Sequence, residues 1–145
     1  MKLVDVNLLL YAVDEASPHH EVARPWLEEA LSGAETVGLA WSVLLAFLRL
    51  STNPRMFESP LSLDRAFDLV RSWLGRASVA VVEPTSDHLD RLQELLRPLG
   101  SAGNLTMDAH LAALALEHGA ELCSADADFS RFPGVRWINP LRHAV

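Results

Sequence analysis

The chain has 145 residues, of which 50% are hydrophobic and 21% are charged, so it is large enough to bury about two-thirds of its unfolded surface as a globular protein. Its formal net charge of −7 excludes nucleic-acid binding by overall charge alone, and any such role needs local arginines or a metal ion that neutralises acids. The one cysteine, Cys123, excludes an internal disulfide, and no apolar N-terminal run predicts a signal peptide or a membrane span, so we expect one cytoplasmic domain over residues 1–145.

Asp5 interrupts the first predicted strand. Residues 3–6 form a short apolar and β-branched run of the kind found in a buried parallel strand, and the carboxylate lies near its end. The apolar residues 8–12 then favour a helix, for which Asn7 is the expected N-cap. Because ligands bind at the carboxyl edge of open α/β sheets, Asp5 is a candidate functional residue, and its ordinary alternative is a helix cap.

Strands alternate with helices along the rest of the chain. Short apolar runs predict four further strands over residues 36–40, 78–82, 121–124 and 135–138. Helical periodicity and cap residues predict five further helices over residues 17–31, 41–50, 62–75, 85–96 and 106–119. Ser17 and Thr106 are the expected N-caps of the first and the last of these helices. The alternation predicts an α/β fold with a mainly parallel central sheet of four to five strands.

Three more acidic side chains stand where a strand ends or a helix begins. Asp126 and Asp128 follow the fourth predicted strand, so in a parallel sheet they share an edge with Asp5. Asp108 begins the last helix, which leads into the fourth predicted strand. This places Asp108 at the opposite end of its βα unit from the other acids, unless that helix runs alongside the site. It nevertheless continues an apolar helix face, which is unusual for an acid. The ordinary alternatives are a partner for the helix dipole at Asp108 and turn residues at Asp126 and Asp128.

A cluster of these carboxylates would suit metal-assisted hydrolysis of a phosphodiester. Carboxylate oxygens are hard ligands that bind Mg²⁺ or Mn²⁺, and such an ion polarises the phosphoryl group and makes a hydroxide available. A different enzyme class, phosphoryl transfer through an aspartyl intermediate, needs a lysine after a later strand. Lys2 is the only lysine and cannot fill that place, so the sequence does not favour this alternative.

Three segments carry a resemblance to a known family. They are residues 4–7 (VDVN), 104–115 (NLTMDAHLAALA) and 124–129 (SADADF), in this order along the chain. In sequence and spacing they resemble the PIN-domain family, and specifically the VapC-type toxin ribonucleases of bacterial toxin–antitoxin pairs. Residues 45–55 and 117–122 look like the form common in actinobacterial members, so the resemblance covers essentially the whole chain.

The resemblance implies a single PIN-like α/β/α sandwich and Mg²⁺- or Mn²⁺-dependent endoribonuclease activity. It also implies an RNA substrate, a VapB-type antitoxin as inhibitor, and a homodimer. The acids that match the family's catalytic and metal-binding positions are Asp5, Asp108 and Asp126. Asp128 is a supporting or alternative metal ligand. The polar residues that the resemblance places along the site are Asn7, Asn104 and Ser124.

The sequence departs from the family at one position. Many members carry a glutamate in the helix after the second strand, whereas residues 36–56 contain no acid and Phe47 stands at about that place. The alternative to a nuclease is therefore a catalytically degenerate PIN domain that only binds its antitoxin and takes part in transcriptional autoregulation. A metal titration distinguishes the two, because absence of Mn²⁺ binding would favour the degenerate domain.

Other conspicuous residues have ordinary interpretations. The six histidines lack the spacing of a helix zinc site and are expected at the surface or at helix ends. Arg49 and Arg55 flank a predicted turn and are either contacts to RNA phosphates or solvated surface residues. The helices over residues 41–50 and 62–75 are candidate walls of a groove for an antitoxin helix. The four tryptophans lie on apolar faces and are expected in the core, with a minority in a dimer or antitoxin groove: Trp26, Trp41, Trp73 and Trp137.

Overall fold

The computed structural model describes residues 1–143 and shows an α/β protein. Within this range the strands are β1 (Lys2–Val4), β2 (Val37–Ala40), β3 (Val79–Val82), β4 (Glu121–Cys123) and β5 (Trp137–Ile138). The α-helices are α1 (Val6–Val13), α2 (His20–Ser32), α3 (Trp41–Ser51), α4 (Leu63–Leu74), α5 (His88–Leu96) and α6 (Thr106–His118). Short 3₁₀ turns cover Arg97–Leu99, Gly103–Leu105, Ala127–Arg131 and Pro140–His143. None of the helices within residues 1–143 combines the length and the apolar character needed to cross a membrane.

All neighbouring strands pair in parallel, in the order β3-β2-β1-β4-β5. Strand β1 therefore lies at the centre, with Leu3 in register with Gly38 of β2 on one side and with Leu122 of β4 on the other. The chain adds β2 and β3 on one side of β1 and then crosses over to add β4 and β5 on the other side. This reversal makes the boundary between β1 and β4 a topological switch point, where a crevice opens at the carboxyl ends of the strands. The predicted α/β fold with a mainly parallel sheet is confirmed.

The hydrophobic core lies between the sheet and the helices that cover it. The central strands are its most buried part, and Leu3 of β1 and Leu122 of β4 are inaccessible to solvent. Helix α4 shows how the flanking helices join the core, because Ala66, Val70 and Trp73 are buried at a spacing of four and three residues. The rest of that helix is largely exposed and carries four charged residues, together with the exposed apolar Leu63 and Phe67.

Two helices begin differently from the predicted caps. Ser17 accepts a hydrogen bond from the backbone N–H of His19 at 3.1 Å, and α2 begins only after His19, so the cap prediction for Ser17 is wrong. Thr106 is already helical, and its hydroxyl donates to the carbonyl of Gly103 at 2.9 Å. In both cases the polar side chain forms its hydrogen bond within the turn that precedes the helix. The prediction of a cap at Thr106 is therefore wrong as well, and Leu105 occupies that position.

The tryptophans divide between the core and the surface. Trp73 is buried, and Trp26 and Trp137 are partly buried and pack against the core. Trp41 is 48% exposed, so its predicted core position is wrong. The reason is its place in the first turn of α3, where a side chain leans back toward the helix N-terminus and away from the packed turns that follow.

A cluster of polar residues joins α5 to α6. The ring of His88 hydrogen-bonds His110 across 2.8 Å between Nε2 and Nδ1, and its Nδ1 hydrogen-bonds the carboxylate of Glu117. Thr85 donates to the same carboxylate from its backbone N–H and its hydroxyl. The predicted surface position is wrong for His110, which is half-buried within α6. No local spacing indicates this cluster, because its members come from two separate helices.

Candidate metal centre

Asp5 lies directly after β1 and caps α1. Its Oδ1 accepts a hydrogen bond from the backbone N–H of Val6 at 2.7 Å, so the cap prediction for Asn7 is wrong and Asp5 itself is the N-cap. Its Oδ2 accepts from the hydroxyl of Ser124 at 2.7 Å and from the side-chain amide of Asn7 at 3.3 Å. Burial raises the pKa of Asp5, although the hydrogen bonds from Ser124 and Val6 oppose that shift.

Asn7 and Ser124 join the segments that follow β1 and β4. The side-chain amide of Asn7 donates to the hydroxyl oxygen of Ser124 at 3.0 Å, and its carbonyl oxygen accepts from the backbone N–H of Ala125 at 3.2 Å. Ser124 is inaccessible to solvent and also accepts from the backbone N–H of Asp126 at 3.0 Å. These bonds hold Asp5 beside the turn that contains Asp126, at the switch point of the sheet.

Helix α6 brings Asp108 to the same edge of the sheet. A helix that leads into a parallel strand runs antiparallel to that strand, so its first turn lies at the carboxyl edge. The sequence placed Asp108 at the opposite end of its βα unit unless the helix runs alongside the site, and the structure brings it beside Asp126 and Asp128. One carboxylate oxygen from each of Asp108, Asp126 and Asp128 lies within 4.8 Å of the other two, which is close enough for a metal ion to be held among them.

The turn after β4 supplies two of these carboxylates. Asp126 caps the 3₁₀ turn Ala127–Arg131, and its Oδ1 accepts from the backbone N–H of Asp128 at 2.9 Å. Asp128 is also paired with Arg131, whose Nε lies 3.5 Å from the carboxylate, and this exposed pair adds little stability by itself.

The electrostatics of the cluster favour a divalent cation. Burial raises the pKa of Asp108 to about 6, and repulsion from Asp126, Asp5 and Asp128 adds to the shift. The negative charges of the clustered carboxylates repel one another, and a cation bound among them relieves that repulsion. The donor set consists of hard oxygens without thiolate or imidazole, which fits Mg²⁺ or Mn²⁺.

A cleft of about 400 Å³ adjoins the acids, and α3 forms its opposite wall. It is lined by both Asp5 and Asp108, and on the α3 side by residues that include Ala46 and Arg49. Phe47 points elsewhere: it is 0% exposed and packs edge-to-face on Trp73 with the ring centroids 4.8 Å apart. Phe47 therefore contributes no side chain to the cleft, whereas the neighbouring Ala46 lines it.

The structure gathers six of the seven side chains that the sequence singled out. The six are Asp5, Asn7, Asp108, Ser124, Asp126 and Asp128. Asn104 differs, because it lies exposed in the 3₁₀ turn Gly103–Leu105 and no hydrogen bond within residues 1–143 joins its side chain to the acids. The roles of all seven residues in metal binding and catalysis remain predictions at this point.

The raised pKa of Asp108 makes the stability of the metal-free protein depend on pH. Its folded pKa of about 6 exceeds the ordinary value of 3.8, so the folded state binds more protons between these values. We therefore expect the unfolding temperature in EDTA to rise as pH falls through about 6 toward 4, by roughly 2–4 °C for about 1 kcal/mol after allowance for solvent screening.

Thermal unfolding of the chain and of Asp108→Asn across this pH range measures the effect. The variant should lack this part of the pH dependence. Mn²⁺ should stabilise the unmodified chain more at about pH 7.5 than at about pH 5.5, because protons compete with the ion for Asp108 at the lower pH. Identical pH profiles for the two proteins would refute the assignment of the shift to Asp108.

Comparison with known proteins identifies relatives over nearly the whole chain. The PIN domain family model matches residues 2–135. A protein of Mycobacterium tuberculosis named Ribonuclease VapC37 is 51% identical over 140 residues, covering 97% of this chain and 97% of that protein. Another from the same organism, named Ribonuclease VapC33, is 40% identical over 142 residues, covering 98% of this chain and 99% of that protein.

Solved structures of lower sequence identity share the fold. Mycobacterium tuberculosis VapC20, described as a toxin that cleaves the sarcin-ricin loop, superposes with a TM-score of 0.68 at 22% identity, covering 94% of this chain and 99% of that chain. VapBC-1 from nontypeable Haemophilus influenzae gives a TM-score of 0.68 at 15% identity, covering 96% of this chain and 97% of that chain. At these identities the match establishes the fold alone, and it confirms the predicted PIN-like sandwich.

Proposed function

Because the chain belongs to the PIN domain family, as its motifs predicted, we propose that it is a Mg²⁺- or Mn²⁺-dependent endoribonuclease and the toxin of a VapBC-type toxin–antitoxin pair. The observation that carries this proposal is the convergence of four carboxylates at the crevice between β1 and β4. Two relatives that share 51% and 40% of their aligned residues with this chain are named ribonucleases, which supports RNA as the substrate.

The acids have separate parts in this mechanism. Asp108, Asp126 and Asp128 would hold the ion, since their oxygens are the ones gathered within 4.8 Å. Asp5 lines the same cleft as Asp108, and its carboxylate is held in place by hydrogen bonds from Val6 and Ser124. When bound, the ion supplies positive charge that polarises the scissile phosphate and lowers the pKa of an attacking water.

The hydrogen bonds around Asp5 keep its carboxylate ready for this role. Ser124 and the backbone of Val6 donate to the ionised form, which offsets part of the cost of burying its charge. In the reaction, the water oxygen forms a bond to phosphorus while the bond from phosphorus to the 3′ oxygen breaks. The leaving oxygen takes up a proton, so the products carry a 5′-phosphate and a 3′-hydroxyl.

The degenerate alternative is not favoured. It was motivated by the missing glutamate of α3, but the structure still gathers the three acids Asp108, Asp126 and Asp128, and Asp5 lines the same cleft as Asp108. The relatives at 51% and 40% identity also carry the name ribonuclease. The departure in α3 therefore changes one wall of the cleft and leaves the acid cluster intact.

A VapB-type antitoxin and a second copy of this chain are the proposed protein partners. A cavity of about 600 Å³, separate from the acids, offers a place for a partner segment. Helix α4 lines this cavity together with α1 and α2, so of the two helices predicted as walls of an antitoxin groove only α4 is among its lining. Its lining combines the apolar Trp73 and Leu27 with the charged Arg24 and Arg65, which suits an amphipathic helix.

Cleavage of total cellular RNA by the purified, antitoxin-free chain tests the nuclease directly. Reactions contain Mg²⁺, Mn²⁺ or EDTA, and Asp5→Asn is run beside the unmodified chain. Discrete fragments that require both the metal and Asp5 are expected, and their ends identify the RNA class that is cut. A folded chain that binds Mn²⁺ and leaves all RNA intact would refute the nuclease and favour the role of a binding protein.

A further inference from the structure

Helix α3 turns one face toward the acidic cleft. Its lining residues include Ser42, Ala46 and Arg49, which are spaced four and three residues apart and so form one stripe along the helix. Within residues 1–143, Arg49 is the one cationic side chain among those that line this cleft. Asp5 and Asp108 belong to the same lining, so a guanidinium and the acids border one space.

The charge of Arg49 is free to meet a ligand. Its side chain is exposed, and it forms no ion pair with any residue of the described range 1–143. Two other arginines do form ion pairs: Arg131 with Asp128 at 3.5 Å and Arg76 with Glu28 at 3.4 Å. The acids in the cleft do not neutralise Arg49 either, because none lies within ion-pair distance of it.

We propose that Arg49 binds a phosphate of the RNA strand next to the bond that is cut, so that the strand lies between α3 and the acids. This inference rests on the proposed function and adds a substrate-positioning residue to it. A strand that approaches four carboxylates is repelled, and a guanidinium on the facing wall attracts it. The planar fork of arginine suits two oxygens of one phosphate. The small side chain of Ala46 leaves the intervening space open.

A purely structural role for Arg49 makes different predictions. The residue lies in the last turn of α3, where a positive charge interacts favourably with the helix dipole. Loss of that interaction would change the unfolding temperature and leave RNA binding unaltered, and lysine would replace arginine fully. Arg55 supplies a matched control, because it is exposed just beyond α3 but does not line the cleft. Glutamine at either position removes the same charge.

The test compares R49Q, R49K and R55Q with the unmodified chain, each full-length and antitoxin-free. Fluorescence anisotropy follows binding of a labelled single-stranded RNA of mixed sequence in EDTA, over about a tenfold range of KCl concentration. We expect R49Q to weaken binding about tenfold and to reduce the slope of log K against log salt by about 0.7, the value for one lost contact to a single strand. R49K should restore the slope but not the full affinity.

The outcomes separate this inference from the nuclease proposal. The RNA affinity of R55Q should lie within about twofold of that of the unmodified chain, and the slope of its log K against log salt should be unchanged. Equal slopes for R49Q and R55Q, or no RNA binding by the unmodified chain, would overturn the role of Arg49. If the unmodified chain cuts RNA with Mn²⁺ while R49Q binds as R55Q does, the nuclease stands and this inference fails. If R49Q loses the contact while no protein cuts, Arg49 binds RNA and the nuclease proposal fails.

Discussion

Replacing Asp108 by asparagine is expected to reduce RNA cleavage by about 10²-fold or more. Asparagine keeps the shape of the side chain but removes the charge that would hold a divalent cation beside Asp126 and Asp128. The variant should still fold, because the change removes both the burial of a charge and the repulsion from neighbouring acids that together raise the pKa of Asp108. Initial rates on total RNA at saturating Mn²⁺, with calorimetric titration of Mn²⁺, measure both effects.

Asp90→Asn is the matched control for this variant. Asp90 is exposed on α5, and its replacement changes the net charge by the same amount without touching the acid cluster. We expect its cleavage rate and its Mn²⁺ titration to match those of the unmodified chain. Undiminished cutting by Asp108→Asn would show that the late-helix acid is not part of the site, whatever its position beside Asp126.

Replacing Phe47 by alanine is expected to cost about 3–5 kcal/mol of unfolding free energy. The ring is 0% exposed and meets Trp73 edge-to-face, so its removal leaves a cavity between α3 and α4 as well as a lost aromatic contact. Phe47→Glu should be more damaging, because it buries a carboxylate without a partner. Denaturant unfolding followed by circular dichroism measures both changes.

Leu45→Ala controls for the loss of an apolar side chain from the same helix. Leu45 is 59% exposed, so its truncation should change the unfolding free energy by less than about 0.5 kcal/mol. If Phe47→Glu instead gave a stable protein that bound an additional Mn²⁺, the side chain would have to face the acid cluster. The orientation of α3 described above would then be wrong.

The fold class could be predicted from the sequence because its signals are local. Apolar runs and helical periodicity repeat over a few residues, and each predicted strand has a counterpart within residues 1–143. The acids at Asp5 and Asp126 could be placed for the same reason, because each lies within three residues of the end of a parallel strand. Helix starts were harder, since the turns before α2 and α6 engage the side chains of Ser17 and Thr106.

The rest depends on which faces of separate elements meet, and the sequence does not state this. Ala46 and Phe47 differ by one helical step of about 100°, which sends one to the cleft and the other to the core. The cluster of His88, His110 and Glu117 joins two helices and has no local spacing. The position of Asp108 was recoverable in principle, because a helix that returns to a parallel sheet begins at the carboxyl edge.

The central position of β1 has a consequence for how the protein is made. The first strand ends at Val4, but β4, which must pair with one of its sides, begins at Glu121. During translation, the edge of β1 that pairs with β4 therefore stays unpaired until most of the chain has left the ribosome. Asp5 cannot meet Asp126 before that pairing forms. A growing chain thus lacks the assembled acid cluster, and a product truncated before β4 lacks Asp126 and Asp128 altogether.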